Sequence, residues 1–172
     1  MSVIIDGLTL LLPPQAGLLR RLDNEIAASL TGLGFEEVLL PLVLDAETNG
    51  RSGKGSAVRF AAPGGGIAGL RDDMTMSAAR LSVNEMSSME RPLKVFYSGP
   101  VFREPRNRGT SFMARQEMSI GAEVFGAGAF GIALDAALSA IAACGDLKRG
   151  IQIRIGDIAL LEGLLELAGL EE

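Results

Sequence analysis

Two clusters of side chains in this sequence have types and spacings suited to chemistry. One is Arg103, which ends the run Gly99-Pro100-Val101-Phe102-Arg103-Glu104. An arginine at the end of a buried strand is well placed to meet an anion, because its planar fork stays charged and bonds two oxygens at once. It can equally pair with a carboxylate, and Glu104 and Glu117 are the local candidates. The other is Asp72, Asp73 and Thr75, at the amino end of a helical pattern. Asp73 and Thr75 read either as helix caps or as a carboxylate and a hydroxyl that receive an ammonium group. A third stretch, Asp45 to Ser56 with Lys54, lacks the Gly-x-x-x-x-Gly-Lys-Ser/Thr spacing of a phosphate cradle and reads as a loop.

Composition removes other chemistries. There is no histidine, so His-based triads and the commonest metal ligand are absent. The single Cys144 excludes an internal disulfide and a cysteine-rich metal site, and its apolar setting suggests a packed thiol. No cofactor is implied. A net charge of −5 argues against broad nucleic-acid contact, although Arg103, Arg106, Arg108 and Arg115 make a local basic patch conceivable. No apolar run is long enough to span a bilayer and no leader pattern opens the chain, so no membrane partner and a cytoplasmic location are expected. With 172 residues, 48% hydrophobic and 22% charged, one globular domain is expected.

These residues need elements to hold them. Residues 1–12 read as extended, and Pro13-Pro14 suits the entry to a helix over Gln15 to Leu33, where Leu18, Leu19, Leu22, Ile26 and Leu30 recur at helical spacing. Phe35 to Val43 follows as a strand buried on both faces, with Pro41 marking an edge or a break. Val58–Ala62 and Ile67–Arg71 flank Pro63-Gly64-Gly65-Gly66 as a hairpin. Met74 to Glu90 predicts a helix with the stripe Met76, Ala79, Val83 and Met86. Leu93–Ser98 and Val101–Glu104 read as two strand pieces separated by a tight break, and Met118–Phe125 as the next strand. A helix over Ala133–Ala143, a half-buried strand over Ile151–Ile155 and a helix over Ala159–Ala168 complete an α+β fold with a largely antiparallel sheet flanked by helices.

Four segments in this order resemble the catalytic core of the class II aminoacyl-tRNA synthetases, in the histidyl-tRNA synthetase branch. Leu19 to Pro41 is similar to the first motif of that family. Leu70-Arg71-Asp72-Asp73-Met74-Thr75 is similar to its Leu-Arg-Pro-Glu/Asp-x-Thr element, Phe96 to Gly126 to its second motif, and Ile151 to Gly169 to the strand and helix that follow. The resemblance implies that Arg103 stands where the family holds the nucleotide α-phosphate. It implies that Asp73 and Thr75 match the pair that receives the amino group of histidine. It also implies a homodimer, because the first motif is a dimer interface in the family.

The departures are as specific. Pro105 replaces the glutamate that reads adenine, Ser119 replaces a glutamine of the histidine pocket, and the third motif and the anticodon-binding domain are missing from residues 1–172. The resemblance therefore implies a non-catalytic relative of the type of the ATP phosphoribosyltransferase regulatory subunit, in truncated or reduced form. Such a subunit acts in histidine biosynthesis, binds histidine and partners the short catalytic subunit. Asp73, Thr75, Arg103, Glu117 and Ser119 are the expected ligand-binding residues, for histidine or another amino acid, with no catalytic residue and no metal. Two alternatives stay open: a fragment or divergent form of a ligase similar to the histidyl-tRNA synthetases, and an amino-acid-binding or dimerisation module without catalysis.

Overall fold

A computed structural model describes residues 10–45, 58–103, 116–148, 151–152 and 167. Several expectations lie outside these residues: most of the extended start, the Lys54 loop, Glu104 to Arg115 with Pro105, and the last strand and helix apart from Ile151, Gln152 and Leu167.

Helix α1, Gln15–Gly32, forms where the leucine spacing predicts it and buries Ile26 and Leu30. Gly34, at φ 78°, ends it. The Gly34 N–H bonds to the Thr31 carbonyl and the Phe35 N–H to the Leu30 carbonyl, the two reversed bonds of a Schellman cap. Phe35 then packs on Leu30 in the core. Lys94 Nζ bonds the Leu33 carbonyl at 2.8 Å, placing a cation at the helix carboxyl end.

The expected strand from Phe35 to Val43 is instead two short ones. β1, Glu36–Glu37, runs parallel to β5, Leu93–Phe102, while β2, Val43–Asp45, joins another sheet with β3, Arg59–Ala61, and β4, Ile67–Leu70. Between them Leu39 is 88% exposed, so the apolar run is not buried on both faces. The chain leaves one ladder and enters the other around Pro41, which has no N–H to donate.

β5 is one continuous ten-residue strand, without the break expected at Gly99-Pro100. The Pro100 carbonyl accepts from Arg71 Nε, on the edge of β5 away from β6, Gln116–Phe125. A residue's N–H and C=O point to the same side of a strand, so the missing N–H of Pro100 also faces away from β6 and costs no ladder bond. The β5–β6 pairing is antiparallel throughout, from Leu93 opposite Phe125 to Phe102 opposite Gln116. Among the described strands only the β1–β5 pair is parallel, so the α+β, largely antiparallel expectation holds.

The β5–β6 ribbon has two faces. Phe96, Ile120, Ala122 and Val124 meet Ile26, Leu30 and Phe35, and Ala136 of α3, Ala129–Ala143, closes this layer. Each large side chain buried here stabilises by about 1.5–3 kcal/mol. Ser98 Oγ donates to Asp23 Oδ1 at 2.5 Å, tying α1 to the same face. Cys144 packs into this cluster, as its apolar setting predicts. Pairing and period-two alternation place Tyr97, Gly99 and Val101 with Glu117, Ser119, Gly121 and Glu123 on the opposite face.

Helix α2, Thr75–Asn84, covers part of that second face. It is shorter than Met74 to Glu90, and its buried side is not the expected stripe: Ala78 and Ser82 are buried, whereas Met76 is 44% and Val83 68% exposed. Small residues let the helix approach the ribbon, with Met74 packed on Tyr97 and Val101. Arg91 Nη2 bonds the Ser82 carbonyl at 2.8 Å near the helix end.

Candidate functional site

Two glycines form the floor of the second face. A Cβ at Gly121 would stand 2.6 Å from Tyr97 Cε2 and 2.7 Å from its hydroxyl, so the phenol lies directly across its opposite neighbour. A Cβ at Gly99 would clash with Arg71 Nη2, so the guanidinium lies across the second glycine. Neither side chain would fit over an alanine without moving.

The phenol of Tyr97 joins three elements. Its hydroxyl donates to Glu123 Oε1 at 2.7 Å and lies 3.2 Å from Thr75 Oγ1. Burial is the main cause that holds this phenol far above its ordinary range; the Thr75 bond opposes the shift, and the Glu123 carboxylate adds to it. Asp73 is close enough to act on the same hydroxyl through its charge. Asp73 is itself buried, and its Oδ1 accepts the Met76 N–H at 3.3 Å, a capping contact at the start of α2. One wall of the site therefore holds two carboxylates and two hydroxyls.

The other expected residues lie at the open end of the ribbon. Arg103 Nη1 meets Glu117 Oε2 at 3.1 Å, and its Nε bonds the Asp72 carbonyl at 2.9 Å. The pairing reading of Arg103 is thus realised, with Glu117 as partner. Burial raises the Asp72 carboxyl above its ordinary range, with Asp73 adding to this and Arg103 opposing it. Asp72 Oδ1 is buried without a hydrogen-bond partner among the described residues. Ser119 stands opposite Gly99 and is half-buried.

The structure thus places Asp73, Thr75, Arg103, Glu117 and Ser119 on one face. Asp73 and Thr75 gather around Tyr97, Glu117 holds Arg103, and Ser119 stands opposite Gly99 in neither group. Two members were missed by sequence reasoning, Tyr97 and Glu123. The signal for Glu123 was present, since Glu117, Ser119 and Glu123 share one parity on a single strand. No group of His, Cys, Asp and Glu that could hold a metal ion occurs among the described residues.

A family model described as histidyl-tRNA synthetase matches residues 7–172. An ATP phosphoribosyltransferase regulatory subunit of Moorella thermoacetica is 30% identical over 93% of this chain and 42% of its own length. A histidine–tRNA ligase of Methanosarcina acetivorans is 32% identical over 93% of this chain and 39% of its own. The chain therefore spans less than half the length of these relatives. The crystal structure of an ATP phosphoribosyltransferase regulatory subunit/histidyl-tRNA synthetase from Bacillus halodurans superposes with a TM-score of 0.71 at 21% identity, covering 84% of this chain and 38% of that one. This likeness shows the fold, that of a histidyl-tRNA synthetase core.

Proposed function

Since this chain belongs to the histidyl-tRNA synthetase family, we propose that it acts without catalysis of its own, as a regulatory subunit of ATP phosphoribosyltransferase in histidine biosynthesis. In this reading it binds histidine through Asp73, Thr75 and Glu123, partners the short catalytic subunit, and forms a homodimer in the cytoplasm.

The observation that carries the reading is the buried Tyr97 hydroxyl flanked by two carboxylates, Glu123, which accepts its hydrogen bond, and the buried Asp73. Arg103, the cation of this face nearest the open end, is bonded through Nε to a main-chain carbonyl and through Nη1 to the exposed Glu117. With Asp72, Asp73 and Glu123, the described residues of this face carry a surplus of carboxylates. An acidic face suits the ammonium of a free amino acid better than the phosphates of a nucleotide. Among the described residues no helix is long and apolar enough to cross a membrane.

The ligase reading keeps one specific support, the similarity to the Methanosarcina ligase. Two measurements separate the readings. Isothermal titration with histidine, repeated on Asp73→Asn, is expected to give micromolar binding that the variant loses. Co-purification with a short ATP phosphoribosyltransferase is expected, and failure to bind both histidine and that partner would overturn the regulatory reading. Amino-acid-dependent exchange of pyrophosphate into ATP would establish the ligase instead.

A further inference from the structure

We propose that Arg71 is a positioning residue of this face: it sets the strap Arg71–Thr75 against β5 and so fixes Asp73 and Thr75 relative to Tyr97 and Glu123. The inference rests on reading that face as the binding site, but its test uses no ligand.

Arg71 is 5% exposed, an unusual place for a cation. Among the described residues it forms no ion pair, and burial lowers its pKa. Its partners are main-chain carbonyls: Nε bonds Pro100 at 2.8 Å and Nη1 bonds Leu40 at 2.8 Å. The backbone of the same residue repeats the pattern. Its N–H bonds the Leu42 carbonyl at 3.0 Å, and its carbonyl accepts the Phe102 N–H at 2.8 Å. One residue thus ties the segment from Leu40 to Leu42 to the free edge of β5.

That edge needs closing. β1 pairs with β5 only at Val95 and Phe96, and the Val38 N–H adds one bond to the Phe96 carbonyl. Further along, Arg71 supplies the donor for Pro100 and the acceptor for Phe102. The strap leads from this junction directly into Asp73, which caps α2, and Thr75, which begins it. The Thr75–Tyr97 contact is 3.2 Å, near the outer limit for two hydroxyls, so a displacement of the strap by about one ångström would break it. Gly99 is part of the same device, since only a residue without a side chain leaves room for the guanidinium. A planar fork is required because the two carbonyls lie in different segments, and a lysine ammonium cannot span both in the same geometry.

Tyr97 is the sole tyrosine and there is no tryptophan, so its absorbance reports this site alone. The experiment compares the full chain with Arg71→Lys, Arg71→Met, Gly99→Ala and the control Leu30→Ala, which weakens the opposite face. Each is held well below its melting temperature at a pH of about 10.5, just above the ordinary phenol value of about 10. The parent chain and Leu30→Ala are expected to show no phenolate band at 295 nm. Arg71→Lys and Gly99→Ala are expected to show a clear phenolate band, because a displaced strap withdraws the cover of Met74 and the charge of Asp73 from the phenol, and the loss of burial outweighs the loss of the Thr75 bond, which acts the other way. Arg71→Met is expected to do the same if it folds; if it does not, the other two decide. A folded Arg71→Lys with the parent spectrum would overturn the proposal, as would a Leu30→Ala protein that ionises as readily as Arg71→Lys.

Discussion

Tyr97 and Gly121 face each other across the β5–β6 ladder, and the ring of the first fills the space that any side chain of the second would occupy. The phenol hydroxyl reaches Glu123 and Thr75 from this position. Gly121→Ala should therefore displace the ring rather than merely crowd it. Overpacking of this kind costs about 1–3 kcal/mol, measurable by urea denaturation, and tyrosine emission should change in the folded protein.

Replacing Tyr97 by phenylalanine keeps the ring and deletes the hydroxyl. The expected loss is about 1 kcal/mol, the net worth of a hydrogen bond, and more if Glu123 is left without water. The pH dependence has a definite sign. The phenol pKa is raised in the fold, so the native state holds its proton more tightly than the unfolded chain does. Its contribution is fully present below the ordinary phenol value of about 10 and is lost as pH rises above it. Tyr97→Phe should remove that part of the alkaline destabilisation, and melting curves across the range would show whether it does.

Asp72 carries a raised pKa and a buried oxygen without a partner among the described residues. A carboxyl whose pKa is raised by folding destabilises the fold once ionised; stability falls as pH climbs from the ordinary carboxylate value through the raised one. Asp72→Asn should melt higher than the parent at neutral pH. The difference should vanish in acid below the ordinary carboxylate range, where both side chains are uncharged.

Arg103 and Glu117 form an exposed pair, with side chains 43% and 37% accessible. Such pairs couple by less than about 1 kcal/mol and are screened by salt. A double-mutant cycle of Arg103→Met and Glu117→Gln should give a coupling energy in that range, smaller at high ionic strength. Under the regulatory reading neither substitution should abolish histidine binding, whereas Glu123→Gln should weaken it at least tenfold.

Much of this arrangement was legible beforehand. The leucine spacing located α1, and Gly64 to Gly66 located the hairpin of β3 and β4, because both signals are local. Pro100 misled because its effect depends on which edge of the strand its nitrogen faces, and that is set by the register of β5 on β6, a long-range pairing that the local sequence does not show. The buried side of α2 misled because Ala78 and Ser82 are small rather than strongly apolar, and close approach rather than hydrophobicity selected them. Asp73 and Thr75 were found through motif order. Glu123 lay inside a recognised segment, yet only its contact with Tyr97 gives it a role in this face.

The two-faced ribbon also bears on how the gene can change. Along β6 the residues at Ile120, Ala122 and Val124 serve the core, and Glu117, Ser119 and Glu123 serve the other side. Gaining or losing one codon inside either strand would exchange the two sets, exposing the oily side chains and burying the acids. Length variation among descendants of this sequence should therefore spare Leu93–Phe102 and Gln116–Phe125 and collect in the residues that connect them.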